Sequence, residues 1–175
     1  MRARWFLILP GAALLILAGT FATDRGSSVL VHDADDRTVL RAALPDSGRF
    51  GIEYVHSYYE VPATEHFVAE EDGSFELVEI SSPSEAVLDY YELEGRKEAG
   101  EELFSLAPDS PQRFDALPLI GTEKGERTLI VSGERFPLYE EDGPRHIIIR
   151  VEADGPSIDG GVADADPERR LKADS

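Results

Sequence analysis

The chain contains no cysteine and no asparagine, a single methionine and a single tryptophan. Without cysteine there are no disulfides, no thiolate zinc sites, no thiol nucleophile and no lipid-bearing cysteine. Without asparagine there is no N-glycosylation sequon. Positive charge is scarce as well: 17 Lys plus Arg stand against 35 Asp plus Glu, a formal net charge of −18 over 175 residues. That balance excludes a basic nucleic-acid surface, which needs Lys and Arg in excess. It equally excludes a polybasic lipid patch. Only Lys97, Lys124 and Lys172 are lysines; arginine supplies the rest. A carboxylate-rich, lysine-poor surface suits high salt, where the Debye length falls to about 3 Å at 1 M and self-repulsion is screened. We therefore expect a halophilic protein. A hydrophobic fraction of 42% argues against wholesale disorder. The length fits one domain with attachments.

The first apolar stretch sits at the N-terminus. Arg2 and Arg4 precede an uncharged run from Trp5 to Thr23, and none of the 35 acids precedes Asp24. A basic flank, an apolar core and small residues such as Thr20-Phe-Ala22 describe an export signal. Uncut, the run is long enough for a bilayer, which needs roughly 17–25 residues. Residues 1–23 are therefore expected to be a signal peptide or membrane anchor, with the N-terminus inside and the rest on the extracytoplasmic face, anchored or secreted.

From residue 24 onward helical periodicity is scarce, and short alternating runs are separated by turn clusters. Strands are expected at Ser28–Val31, Thr38–Leu44, Phe50–His56, Ala63–Ala69 and Phe75–Ile80. Val87–Tyr91 reads as a further strand, and Glu92–Glu102 as a loop or one exposed helical turn. Arg113–Ile120 reads as extended. Thr128–Ser132 and Glu134–Tyr139 flank Gly133 as a hairpin. Arg145–Glu152 closes the series, with Ile147-Ile-Ile149 suggesting burial on both faces. Residues 154–175 read as a solvated acidic tail. The expected fold is all-β, an antiparallel sandwich or partly open barrel spanning 24–153.

The densest polar constellation runs from Tyr54 to His66. Alternation places Phe50, Ile52, Tyr54 and His56 on one face of their strand, and Ala63, Glu65 and Phe67 on one face of the next. A register pairing Ile52 with Ala69 sets His56 opposite Glu65, a carboxylate that would favour the imidazolium. Such a pair reads as a structural pin, as a ligand or partner site, or as a metal or catalytic site. The candidate binding residues are Tyr54, His56, Ser57, Tyr58, Tyr59, Glu60 and Glu65. A zinc-type site needs three or four ligands. His56, Glu60, Glu65 and His66 supply the residue types, but alternation separates Glu65 from His66. Ser57 follows His56 directly, so an extended strand points them apart and no Ser-His-Asp geometry follows. We expect no catalytic residues, no metal and no cofactor.

Other signals are weaker. Asp33, Asp35 and Asp36 lack the glycine and the terminal glutamate of a calcium loop. Asp159–Asp166 belongs to the tail. Gly121-Thr-Glu-Lys-Gly125 lacks the Walker spacing. His32 and His146 stand alone.

Phe50-Gly-Ile-Glu-Tyr-Val-His-Ser57, followed by Val61-Pro62, Glu65 and Phe67, resembles the bacterial and archaeal family called domain of unknown function 1850. Leu117-Pro-Leu119, Thr128–Leu138 and Gly143–Val151 extend the likeness over about residues 28–152. Where that family carries a Tyr-Gly-Ala-Gly-like stretch, this chain has Ser82–Tyr91, so a ligand contact made there by relatives need not carry over. The resemblance implies an exported or membrane-attached accessory protein. Such proteins are often encoded beside tripartite TRAP solute transporters of the TAXI group, so the implied partners are a transporter membrane subunit or solute-binding protein.

Overall fold

A computed structural model describes residues 26–153. The expected anchor, residues 1–23, and the expected tail, residues 154–175, lie outside the described residues. Among the described residues no helix is long and apolar enough to cross a membrane.

The fold is all-β, with antiparallel strands arranged in two sheets. The smaller sheet runs β2 (Thr38–Ala43), β1 (Ser28–His32), β12 (Arg145–Glu152), β9 (Leu117–Gly121). The larger runs β11 (Glu134–Pro137), β10 (Thr128–Val131), β3 (Arg49–Val55), β4 (Pro62–Ala69), β5 (Phe75–Ser82), β7 (Phe104–Pro108), β6 (Gly95–Ala99). A short β8 (Gln112–Phe114) pairs with the other half of β5. The chain thus passes between sheets from Phe114 to Leu117, inside the stretch expected to be extended.

Alternation decides which faces meet. Val29 and Val31 of β1 and Ile147, Ile149 and Val151 of β12 point inward from the smaller sheet, against Phe50, Ile52, Phe67, Leu77, Ile80 and Leu129 of the larger. This is a sandwich-like core. At one end Phe50 stacks on Phe67, ring centroids 5.2 Å apart. Phe75 meets both edge-on at 5.4 and 5.6 Å. Offset and edge-to-face pairs add about 0.5–1.5 kcal/mol each to the area they bury.

Three expectations need correction. Residues 87–91 do not form a strand: α1 (Glu85–Tyr90) is a short helix that buries Val87 and Leu88 against β5 and β7. Val87, Leu88 and Tyr91 have the spacing of one helical face, which a five-residue window cannot separate from a strand. Glu92–Glu102 is neither loop nor helical turn over its centre, because β6 pairs there with β7. Its side chains are charged and exposed, as suits a protected sheet edge, so it leaves no apolar signal. A Cβ at Gly95 would lie 2.3 Å from the Ala107 carbonyl oxygen, so only glycine permits this approach. Finally, Ile147-Ile-Ile149 is not buried on both faces. Ile148 is half-buried on the outer face of the smaller sheet.

Candidate functional site

The register of β3 on β4 sets the geometry of the site. Phe50 lies opposite Phe67, Ile52 opposite Glu65 and Tyr54 opposite Ala63. The expected pairing of His56 with Glu65 is therefore wrong by four residues, although both side chains remain on the expected face. A tighter turn causes the difference. The His56 amide donates to the Val61 carbonyl at 2.9 Å, and the Glu60 amide donates back to the His56 carbonyl at 2.8 Å. Glu60 closes the turn at φ 54°. The Val55 amide turns the other way, to the Gly125 carbonyl at 2.8 Å, so no ladder bond is missed opposite Pro62.

Beyond the phenylalanines the same face becomes polar. Glu65 is largely buried, and Tyr91 donates a hydrogen bond to its Oε1 at 2.7 Å. Tyr54 and Tyr91 are joined hydroxyl to hydroxyl, which makes a chain from Tyr54 through Tyr91 to Glu65. Burial pushes the Glu65 carboxyl above the usual carboxylate range, opposed by the Tyr91 hydroxyl and by the positive charge of Arg127. Tyr54 and Tyr91 are pushed up as well, chiefly by burial.

His56 is only 5% exposed. Its Nδ1 accepts from the amides of Tyr58 and Tyr59, both at 3.3 Å, so the neutral ring carries its proton on Nε2. Burial moves its pKa down. The expected imidazolium, stabilised by Glu65, is thus replaced by a neutral imidazole. Tyr90 packs edge-on against the ring at 4.7 Å, and Tyr59 lies tilted against it at 5.1 Å.

Arg127 closes the opposite wall. Its guanidinium lies 5.1 Å from the Tyr54 ring centroid, within cation–π range. Its Nε donates to the Ile120 carbonyl at 3.0 Å. Among the described residues no carboxylate forms an ion pair with it, whereas Arg37, Arg41, Arg113, Arg135 and Arg150 each have one. The preceding loop is fixed by the Gly125 and Glu126 amides, which donate to the Thr122 carbonyl at 3.1 and 3.0 Å. This loop and the β3–β4 turn meet at the rim, where Lys124 pairs with Glu60 at 3.5 Å.

Between these walls lies a cavity of about 380 Å³, lined by His56, Glu65, Tyr54, Tyr91 and Arg127 among others. Of the expected residues, Tyr54, His56, Ser57 and Glu65 line it. Tyr59 packs behind His56, Tyr58 is 78% exposed beside Tyr59, and Glu60 stands outside on the rim. Reading the sequence alone missed Tyr90, Tyr91 and Arg127. Tyr91 is 26 positions from its partner Glu65, so no local pattern joins them.

The remaining polar groups lie elsewhere. Among the described residues no three His, Cys, Asp or Glu side chains gather as metal ligands. Asp33 and Asp35 are tied to Arg37, and Asp36 to Arg150. His32 is buried with Nδ1 on the Asp36 carbonyl, and His146 is exposed. His66 shares a hydrogen bond with Ser81 Oγ at 3.0 Å. Glu79 approaches the same Nε2 rather than the opposite ring nitrogen, so these three do not form a relay.

No family model matches the chain, and no curated protein or solved structure matches it either.

Proposed function

We propose that the chain is an exported, non-catalytic envelope domain that binds a small solute in the cavity and serves a TAXI-type solute transporter as an accessory. The observation that supports binding is the convergence in one cavity of a His56 Nε2–H and an Arg127 guanidinium edge, both without an acceptor among the described residues, with the largely buried Glu65 carboxyl and tyrosine rings. A few placed polar groups among aromatic walls, in a volume of this order, orient small ligands. The export and transporter parts rest on the apolar N-terminal run and on the resemblance of the β3–β4 segment. Among the described residues no nucleophile is hydrogen-bonded to His56, which favours binding over catalysis.

A thermal-shift screen of the full-length chain against small solutes tests the binding reading. At least one solute should raise the melting temperature of the wild type and not of His56→Ala. A panel that shifts neither protein would count against it. In cells, His56→Ala should lower uptake by the neighbouring transporter while the protein stays folded; unchanged uptake would remove the accessory role. A halophilic protein should also melt higher as salt rises from about 0.1 M to about 1 M, where exposed charges are screened. A melting curve indifferent to salt would discard that reading.

A further inference from the structure

A second recess adjoins the cavity at Arg127. It lies on the outer face of the smaller sheet with a volume of about 570 Å³, and Ile120 and Arg127 line both. Its walls are otherwise mostly apolar. Pro118 and Ile120 of β9 sit opposite Ile148 and His146 of β12 in register, and Ala34 overhangs from the β1–β2 turn. Ile120 is 50% exposed. Farther along, this face carries the ion pairs Arg41 with Glu152 and Arg150 with Asp36. A bare strip of isoleucine and proline on so charged a surface calls for an occupant.

Charge complementarity says which kind. Acids outnumber bases by about two to one here, yet the Arg127 guanidinium has no carboxylate partner among the described residues. Its Nε is spent on Ile120, which leaves the Nη edge free, the geometry that takes a carboxylate through two parallel bonds. His56 Nε2–H is a second donor in the same cavity. Donors at one end and an apolar strip at the other match a molecule with one anionic head and one apolar chain.

We propose that the ligand is a free single-chain carboxylate of the fatty-acid class, its head held by Arg127 and His56 and its chain laid along Pro118, Ile120 and Ile148. This rests on the reading of the cavity as a ligand site and adds the ligand's chemistry. The Glu65 carboxyl shares the cavity: its Oε1 is engaged by Tyr91, Arg127 offsets its charge and burial raises its pKa, all of which weaken its repulsion of an anionic head.

The test is calorimetric titration of the full-length chain with butanoate, hexanoate, octanoate and decanoate below their micelle concentrations. Affinity should tighten by up to roughly four-fold per added methylene until the strip is covered. Arg127→Gln should weaken octanoate at least about ten-fold while leaving 1-octanol unchanged, because a charge-assisted pair is lost. Arg127→Lys, which keeps the charge and loses the fork, should fall between them and guards against a folding defect. Ile148→Ser should flatten the chain-length dependence and leave butanoate alone.

If carboxylates of every length bind equally and Ile148→Ser changes nothing, the recess plays no part and the proposal fails, while the cavity reading stands. If no carboxylate binds but another solute shifts the melting curve through His56, the chemistry is wrong and the cavity reading again stands. If nothing binds at all, both fall. Binding to phosphatidylglycerol vesicles that octanoate cannot displace would point to a bilayer lipid and overturn the proposal.

Discussion

The two ends of the β3–β4 hairpin share a face and a sheet, and they differ in almost everything else. At the Arg49 end the inward side chains are Phe50 and Phe67, stacked and joined by Phe75 and Phe114. At the turn end they are Tyr54 and Glu65, linked through Tyr91, and His56, packed against Tyr59 and Tyr90, with Arg127 over the Tyr54 ring. The first end removes apolar area from water and needs no partner outside the chain. The second buries a carboxylate and an imidazole at a cost, and leaves an imidazole N–H and a guanidinium edge without protein acceptors among the described residues. A hairpin used only for stability would continue its phenylalanines to the turn. The contrast is the reason to read one end as scaffold and the other as site.

The largest break in that contrast should come at the scaffold end. Phe67→Ala removes a fully buried ring from the stacked cluster and should cost about 3–5 kcal/mol in urea unfolding. Tyr91→Phe should cost less, about 1–3 kcal/mol, because Glu65 loses its donor and Tyr54 its acceptor without leaving a hole. A loss as large as that of Phe67→Ala would make the tyrosine chain part of the scaffold.

Glu65→Gln sharpens the comparison through pH. The folded-state pKa of Glu65 is raised, so the folded protein holds this proton more tightly than the unfolded chain does. Its contribution to stability is complete below the ordinary glutamate pKa and is lost as pH rises through the raised value. The glutamine still accepts from Tyr91 and never ionises. The variant should therefore equal or exceed the wild type at neutral pH, and this advantage should vanish in acid. His56 and His66 act in the opposite direction. Their lowered pKa values give a contribution that holds above about 6.5 and fades as pH falls. Stability profiles of Glu65→Gln and wild type that run parallel from acid to neutral pH would contradict the buried carboxyl. The smallest effect belongs to the rim: Lys124→Ala removes an exposed ion pair and should shift stability by less than about 0.5 kcal/mol.

Much of the scaffold was legible in the sequence. Val29/Val31, Phe50/Ile52 and Ile147/Ile149/Val151 alternate, and alternation alone assigns their faces. The register of the hairpin was not legible, for a physical reason. A slip of four residues keeps every side chain on its face, so alternation cannot tell Ile52 opposite Ala69 from Ile52 opposite Glu65. Ring stacking between Phe50 and Phe67 and the tight turn at Glu60 distinguish them. Half of the site was visible because Tyr54, His56, Ser57 and Glu65 are near neighbours in the chain. Tyr91 and Arg127 come from α1's end and from the loop before β10. Only the sandwich brings them to His56.

The central claim is that the turn end of this hairpin is where a ligand sits. Mapping of backbone amide shifts by NMR during titration with octanoate tests it most directly. The account predicts perturbations at residues 54–59, Glu65, Tyr91 and 119–127, extending to 146–148 where the octanoate chain lies, with Phe50, Phe67 and Phe75 unmoved. Shifts scattered over the surface, or centred on the phenylalanine end, would contradict it.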